Sequence, residues 1–365
     1  MSVANKAPDY IRAISPYQPG KPIGELAREM GLEEASIVKL ASNENPLGMS
    51  AKAREAAVAA LTDIARYPDG NGFELKAALC ARFGVEADMI VLGNGSNDVL
   101  ELAARAFLGP GRSAVFAQHA FAVYPLATNA TGARCIEVPA KDFGHDLPAM
   151  AEAIEPDTRI VFLANPNNPT GTFVEGSEIE AFLRKVPSQV LVVLDEAYTE
   201  YLSDAQRYDS LGWIEAFPNL LVSRTFSKAY GLAGLRVGYG IGNPDVVDLM
   251  NRVRQPFNVS SVALAAAAAA LGDEEFLARS AEINSRGMAQ ITEALAGLGL
   301  EWIASAGNFV TFKVGNAAGI NAALLRQGVI VRPIAGYGMP EWLRVSIGLP
   351  EENARFIEAL RRALA

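Results

Sequence analysis

Seven short apolar segments alternate with amphipathic segments between residues 89 and 239, and no other feature limits the fold as strongly. Each apolar segment has the length of a buried strand, and the segments between them have the apolar spacing of helices. This alternation over about 150 residues predicts an α/β fold with a mainly parallel, seven-stranded sheet flanked by helices. The predicted strands are 89–92, 113–116, 134–138, 159–164, 190–194, 220–222 and 237–239.

The pattern changes after residue 248, where helices come to dominate before strands return. Strands predicted at 301–314, 329–332 and 342–347 alternate with helices, which indicates a smaller α+β domain. Prolines without apolar periodicity predict an extended arm over 1–22, followed by a short strand at 37–40. We expect an arm and small-domain segment at 1–40, a large domain at 41–272 and a small domain at 273–365. The predicted helices are 24–30, 50–64, 73–83, 98–108, 122–131, 176–185, 244–254, 259–271, 273–298, 320–327 and 351–364.

The composition excludes several classes of function. Half of the 365 residues are hydrophobic and the net charge of −9 is dispersed, so no basic patch indicates a nucleic acid partner. Cys80 and Cys135 lack metal-ligand spacing, and two histidines, His119 and His145, are too few for a histidine-based metal site. The N-terminus lacks the pattern of a signal peptide, and the apolar run 262–271 is too short to span a bilayer. We expect a soluble cytoplasmic protein without a metal or a membrane partner.

One lysine, Lys228, follows the apolar run 219–222 after a short segment that contains hydroxyl residues. Burial there disfavours the charged form of its amine, and a neutral amine can form a Schiff base with a carbonyl compound. Thr225, Ser227 and Arg236 lie around it and would suit a phosphate dianion, with the arginine as a bidentate clamp. Taken alone, a Ser-Lys pair is more often part of an ordinary surface loop.

Two further polar loops follow apolar strands, and in an open α/β sheet such loops meet outside the carboxyl ends of the strands. Residues 93–97 open a helix and would present backbone N–H groups to an anion, although a glycine turn with a helix cap explains them equally well. Residues 165–171 contain two Asn-Pro steps, which favour extended backbone and leave asparagine amides directed at a partner. A plain turn is the alternative.

A third loop begins at Asp195, directly after the most apolar strand. A carboxylate in that position needs a partner, because an unpaired buried charge is costly. A cationic ring nitrogen would serve, and Tyr198 would offer its phenol to a nearby oxygen. Taken alone, Asp195 is equally well explained as a helix cap.

Together these loops match one ligand, pyridoxal 5′-phosphate (PLP), which needs an amine, an acid for its ring nitrogen, donors for its phenolate and an anion cradle. Asn-Pro-Thr-Gly at 168–171, Asp-x-x-Tyr at 195–198, the lysine motif ending at Lys228 and Arg236 occur in that order. On these motifs the chain resembles the fold-type I, aspartate-aminotransferase-like superfamily. Runs 16–22, 39–48 and 66–70 make it similar to the histidinol-phosphate aminotransferase family, and the resemblance covers nearly all of 10–364.

The resemblance implies a role for each matching residue. Lys228 would bind the cofactor's aldehyde and act with Asp195 and Tyr198 in catalysis. Tyr67 would reach the cofactor of a neighbouring subunit, which implies a homodimer with shared active sites. Phe121 stands where relatives often carry Tyr or Trp, and it would stack on the pyridine ring. The cofactor-binding residues that the resemblance implies are Ser96, Asn97, Phe121, Asn168, Asp195, Tyr198, Thr225, Ser227, Lys228, Arg236 and Tyr67 from the partner subunit.

For the substrate, the resemblance implies binding by Arg344, with Arg332, Tyr17 and Asn43 as helpers. The implied reaction transfers an amino group from L-histidinol phosphate to 2-oxoglutarate and gives imidazole-acetol phosphate and glutamate, a step of histidine biosynthesis. Arg344 would bind the substrate phosphate in one half-reaction and the glutamate carboxylate in the other.

Several alternatives remain open at the level of the sequence. An aromatic amino-acid transaminase for phenylalanine and tyrosine is close in pattern, and a PLP-dependent threonine-phosphate decarboxylase shares the lysine motif. A PLP-binding regulator without catalysis is disfavoured because the chain has no basic segment for DNA. A Rossmann dehydrogenase is disfavoured because the turn at 93–95 lacks the third glycine of that fingerprint.

Overall fold

The computed structural model describes residues 2–365 and confirms the α/β fold class. Met1, which the predicted arm includes, lies outside the described residues. The strands are β1 (Val38–Lys39), β2 (Ile90–Gly93), β3 (Ser113–Ala117), β4 (Arg134–Val138), β5 (Thr158–Ala164), β6 (Leu191–Asp195), β7 (Leu220–Thr225), β8 (Gly238–Gly242), β9 (Trp302–Ile303), β10 (Phe309–Lys313), β11 (Val329–Ile330), β12 (Arg332–Pro333) and β13 (Trp342–Ser346).

The central sheet has seven strands in the order β2-β8-β7-β6-β5-β3-β4. Only β8 runs antiparallel to its neighbours, so β2, β5, β6 and β7 end at the same edge of the sheet. Every residue of β2, β3 and β6 is buried, which agrees with strands covered on both faces. The carboxyl edge of these strands is the place where an α/β sheet binds its ligands.

Helices cover both faces of this sheet. The helices are α1 (Asp9–Arg12), α2 (Ile23–Met30), α3 (Ala51–Ala60), α4 (Phe73–Phe83), α5 (Ser96–Phe107), α6 (Val123–Ala130), α7 (Leu147–Glu152), α8 (Gly176–Leu183), α9 (Pro244–Val253), α10 (Ser261–Leu271), α11 (Glu274–Gly297), α12 (Ala317–Arg326) and α13 (Pro350–Leu364). One hydrophobic cluster joins the sheet to α3, α4, α8 and α10, and another joins it to α5, α6 and α9. None of the helices within residues 2–365 is long and apolar enough to cross a membrane.

The chain after α11 forms a second, four-stranded antiparallel sheet in the order β12-β13-β10-β9. Its core joins the sheet to α11, α12 and α13. The N-terminal segment is attached to this part of the molecule, because β1 pairs in parallel with β11. After β1, the chain crosses towards the carboxyl edge of the large sheet.

Several predicted elements differ from the structure, and one of them is the predicted strand 329–332, which divides into β11, paired with β1, and β12, paired with β13. The arm is not wholly extended, since it contains a 3-10 turn at Val3–Lys6 and α1, and α7 was not predicted. Residues 301–314 form β9 and β10 rather than one strand, because a turn at 305–307 separates them, in which the Gly307 N–H donates to Ser305 Oγ at 3.1 Å. Helix α5 begins at Ser96 instead of residue 98, because Gly95 adopts a φ of 81° that turns the chain directly into the helix.

Candidate active site

A cavity of about 240 Å³ lies at the carboxyl edge of the large sheet, next to β13 of the smaller sheet. It brings together every residue that the sequence predicts for the site except Tyr67. The predicted residues that line it are Tyr17, Asn43, Ser96, Asn97, Phe121, Asn168, Asp195, Tyr198, Thr225, Ser227, Lys228, Arg236, Arg332 and Arg344. A wider groove of about 750 Å³, which runs from residues 141–148 to 304–306, contains none of them.

Lys228 follows β7 and extends its amine into this cavity. Its Nζ donates to the backbone oxygen of Ser42 at 3.1 Å and lies 5.8 Å from the centre of the Tyr198 ring. Burial and, to a smaller extent, the nearby positive charge of Arg344 lower the pKa of Lys228 to about 8. A substantial fraction of this amine is therefore neutral near pH 8, as a nucleophile or a general base requires.

Asp195 ends β6 at the floor of the cavity and is almost fully buried. One carboxylate oxygen, Oδ2, accepts a hydrogen bond from the Tyr124 hydroxyl at 2.9 Å, while Oδ1 has no partner. Burial raises the pKa of Asp195 to about 6, against the opposing effect of the Tyr124 bond. A buried carboxylate with a free oxygen requires a cation or a donor from outside the chain.

Tyr124 is a site residue that the sequence did not reveal. It lies on α6 one turn after Phe121, stacks flat on Phe162 at 4.8 Å and meets Phe121 edge to face at 5.9 Å. The i, i+3 spacing of two aromatic residues was a usable signal, because the turn that starts α6, in which the Tyr124 N–H donates to the Phe121 backbone oxygen at 3.0 Å, brings the two side chains together. Phe121 lines the cavity and is supported by Tyr124, which also orients Asp195.

Hydroxyl and guanidinium groups form an anion cradle where α5 begins. The Ser227 N–H donates to Thr225 Oγ1 at 3.1 Å, and Arg236 Nη1 donates to Ser227 Oγ at 3.3 Å. Two glycines make the close approach possible, because a Cβ on Gly95 would lie 2.4 Å from Arg236 Nη2 and one on Gly238 would lie 2.4 Å from the Ser96 nitrogen. The N-terminus of α5 and Arg236 together favour a phosphate dianion.

The asparagines of the 165–171 loop have different surroundings. Both Asn-Pro peptide bonds, 165–166 and 168–169, are cis rather than part of an extended run. The Asn165 amide binds Val174 and Tyr208, and the Asn167 amide donates to the backbone oxygen of His119 and to Thr170, so both hold the loop. Only Asn168 faces the cavity, where its Oδ1 accepts from Arg344.

Two arginines lie opposite each other in register on β12 and β13. Directly opposed residues of an antiparallel pair share one face, so both side chains lie on the side of the cavity. Arg344 donates to Asn168 and to the Ala41 backbone oxygen, and its buried Nε has no partner. Arg332 donates to the Tyr17 hydroxyl at 3.2 Å and to the Gln18 backbone oxygen at 2.6 Å. Within residues 2–365 neither arginine forms an ion pair with a carboxylate, so both retain their full charge for a ligand.

These observations fit the chemistry of PLP. The free Oδ1 of Asp195 matches a protonated ring nitrogen, the partly neutral Lys228 amine matches an aldehyde, and the glycine-lined cradle matches a phosphate. The Tyr198 hydroxyl and Asn168 line the same cavity and are groups that could donate to a phenolic oxygen. The fold and the cavity together therefore define a PLP-type aminotransferase site.

Comparison with known proteins identifies the family. The model of aminotransferase class I and II matches residues 35–360, and the chain belongs to this family of enzymes. It is 66% identical over 361 residues to histidinol-phosphate aminotransferase 1 of Cupriavidus pinatubonensis, with 98% of this chain and 96% of the relative covered. It is 65% identical over 364 residues to histidinol-phosphate aminotransferase 1 of Dechloromonas aromatica, with 100% of both chains covered.

A solved structure gives the same result. The crystal structure of histidinol-phosphate aminotransferase from Sinorhizobium meliloti in complex with pyridoxal-5′-phosphate superimposes with a TM-score of 0.90 at 27% identity. The match covers 98% of this chain and 96% of that one. Within the aminotransferases the chain thus belongs with those named histidinol-phosphate aminotransferases.

Proposed function

We propose that this enzyme transfers the amino group of L-histidinol phosphate to 2-oxoglutarate and yields imidazole-acetol phosphate and glutamate, a step of histidine biosynthesis. The observation that carries the proposal is the pair of opposed arginines, Arg332 and Arg344, which lack a carboxylate partner within the described residues. Two unneutralised guanidinium groups side by side suit a phosphate dianion better than a single carboxylate. The names of the relatives at 60–66% identity support the same substrate.

The cofactor is PLP, and when bound it supplies an electron sink that stabilises negative charge on the reacting carbon of the substrate. Lys228 Nζ would remove a proton from that carbon as general base and, as general acid, would deliver it to the carbon of the cofactor's aldehyde group. Asp195 holds a proton on the ring nitrogen, because its buried carboxylate is stabilised by a cation beside it. Thr225, Ser227 and Arg236 hold the cofactor phosphate.

The proposal is tested by the products formed from four amines with 2-oxoglutarate. We expect equal amounts of glutamate and imidazole-acetol phosphate from L-histidinol phosphate, and slower glutamate formation from L-phenylalanine and L-aspartate. Threonine phosphate is expected to release no carbon dioxide. Equal rates with phenylalanine would make the enzyme a broad aromatic transaminase, and carbon dioxide release would make it a decarboxylase. The comparisons favour neither alternative.

Arg344 and Arg332 are expected to differ in their effects on the two half-reactions. Arg344→Met should lower kcat/KM by about 100-fold or more for both L-histidinol phosphate and glutamate, because loss of a buried charge partner leaves the ligand anion unpaired. Arg332→Met should lower kcat/KM much more for L-histidinol phosphate than for glutamate. The reason is that the phosphate group, a dianion, needs both guanidinium groups, whereas a single carboxylate needs only one. Equal losses for both substrates in the Arg332 variant would contradict the two-arginine account.

We propose that the chain acts as a homodimer in which each subunit completes the other's site. Tyr67 is 83% exposed, stacks on Phe257 at 4.7 Å and lines a groove away from the active-site cavity. Around it lies an exposed apolar surface, and patches of this kind mark protein interfaces. The large apolar residues of this surface are Val58, Leu61, Ile64, Tyr67, Phe73 and Phe257.

Ile64→Asp is expected to shift the protein from dimer to monomer, because it places a charge in the apolar surface that the partner would bury. PLP affinity should fall with it, since the partner's Tyr67 contact is lost. Sedimentation velocity measures the first effect and fluorescence titration the second. The matched control is Met30→Asp, which alters an exposed apolar residue outside this surface. A fully active wild-type monomer would contradict the proposal.

We further propose that residues 1–40 form the N-terminal arm and a small-domain segment, residues 41–272 the large domain and residues 273–365 the small domain. The pairing of β1 with β11 and the presence of Leu40 in the smaller core support this division. We also propose a cytoplasmic location, because that is where a histidine-biosynthetic enzyme meets its substrates.

A further inference from the structure

Three consecutive residues each contact a different functional side chain of the cavity. The Ala41 backbone oxygen accepts from Arg344 Nη2 at 2.8 Å, and the Ser42 backbone oxygen accepts from Lys228 Nζ at 3.1 Å. Asn43 differs from these two, because it acts through its side chain: its Nδ2 donates to the Tyr198 hydroxyl at 2.9 Å.

Asn43 is held firmly for this contact. It is only 1% exposed, its backbone N–H donates to Ser346 Oγ at 2.7 Å, and its Oδ1 accepts from the same hydroxyl at 3.0 Å. Asn308 Nδ2 donates to its backbone oxygen at 3.0 Å. Its φ of 54° lies in the left-handed region, which asparagine tolerates better than most residues. The carboxamide is therefore engaged at both ends with protein groups.

The direction of the Asn43 bond determines what the Tyr198 hydroxyl can do. An amide N–H can only donate, so the phenol oxygen accepts from Asn43 and its own hydrogen is left for another acceptor. Arg344 beside it carries donors only, and Tyr198 donates to no acceptor among residues 2–365. Burial raises the pKa of Tyr198 to about 12, so the hydroxyl keeps its proton. The hydrogen is thus available to the cavity.

We propose that Asn43 is a positioning residue that fixes the Tyr198 hydroxyl in the orientation that donates to the cofactor's phenolic oxygen. A hydroxyl that accepts one hydrogen bond becomes a stronger donor of the next, so Asn43 strengthens this bond as well as orienting it. The inference rests on the proposed role of Tyr198 as a ligand of PLP. It replaces the predicted contact between Asn43 and the substrate with a contact that acts through Tyr198.

The test is a pH titration of the visible absorbance of the PLP-loaded dimer. In Asn43→Gly, which keeps the backbone conformation, the Tyr198 hydroxyl is a weaker and less well oriented donor to the cofactor's phenolic oxygen. A negative charge on that oxygen is therefore less stabilised. We expect the bound cofactor to titrate about half to one pH unit higher than in the wild type. In the Tyr198→Phe background the same change should produce no further shift, because the two residues act as one unit.

Two further variants separate positioning from general structure. Asn308→Ser removes another anchor of the same segment without touching the amide of Asn43, and it should leave the titration unchanged. Asn43→Ser should repeat the shift if the glycine variant does not fold. An unchanged titration in both Asn43 variants, an equal shift in Asn308→Ser, or additive shifts with Tyr198→Phe would overturn the inference. A wild-type protein without a lysine-bound absorbance band would instead refute the proposed cofactor role of the site.

Discussion

Replacing Lys228 with alanine is expected to lower kcat for transamination by about 10⁴-fold or more, since the change removes both the covalent attachment point and the general base. The same variant should still bind PLP, because the phosphate cradle of Thr225, Ser227 and Arg236 is intact. Its visible spectrum should be that of the free aldehyde. Steady-state kinetics and absorbance of the loaded protein measure the two effects.

A matched control for this variant is Lys76→Ala. Lys76 is also partly buried, has a pKa lowered by burial and donates from its Nζ to a backbone oxygen, that of Ala87 at 3.1 Å. It lies outside the cavity, so its loss should leave kcat and the spectrum unchanged. Substantial transamination by Lys228→Ala, or equal losses in the two variants, would contradict the assignment.

Asp195→Asn is expected to lower kcat by about 10²- to 10³-fold and to weaken PLP binding, because a buried cation loses its charge partner. The amide keeps the shape of the carboxylate and can still accept from Tyr124. Kinetics at saturating substrate and fluorescence titration of PLP measure these effects. Tyr124→Phe serves as the milder comparison, since it removes the hydrogen bond that orients Asp195 and leaves the charge.

Asp195→Asn should also stabilise the protein when the cofactor is removed. The folded-state pKa of Asp195, about 6, exceeds its ordinary value of 3.8, so the folded protein binds the proton more tightly than the unfolded chain. Stability of the cofactor-free protein therefore falls as pH rises from about 4 to 6, and Asp195→Asn removes this cost. We expect a gain of about 1–3 kcal/mol in the free energy of unfolding at pH 7. A loss of stability would show that the buried charge is already compensated within the protein.

The large sheet could be predicted from the sequence because its strands are short, mostly apolar and separated by amphipathic helices. The residues of the cavity were predictable for a related reason, since loops after parallel strands must meet at one edge. Asp195, Asn168 and Lys228 follow three such strands, β6, β5 and β7. All three line one cavity at that edge, and their roles in the site stay predictions until the variants are measured.

Other features depend on contacts between distant parts of the chain. Tyr124 supports Asp195 across 71 residues, and Asn43 meets Ser346 across 303, so the local sequence does not identify the partner in either contact. The break between β9 and β10 did have a local signal, because residues 304–308 read Ala-Ser-Ala-Gly-Asn, a composition that favours a turn, but the strand-forming residues on both sides led to one strand being predicted across it. The cis peptide bonds of the 165–171 loop were missed because an Asn-Pro step alone favours the trans form.

The most direct test of the central claim is a single-turnover measurement on the PLP-loaded protein without an oxoacid. The absorbance of the lysine-bound cofactor is followed after rapid mixing with L-histidinol phosphate, L-phenylalanine, L-aspartate or threonine phosphate. We predict that the band disappears at least about 100-fold faster with L-histidinol phosphate than with the other amines at equal concentration. Equal rates with phenylalanine would contradict the proposed substrate, and an unchanged band with every amine would contradict the account of Lys228 itself.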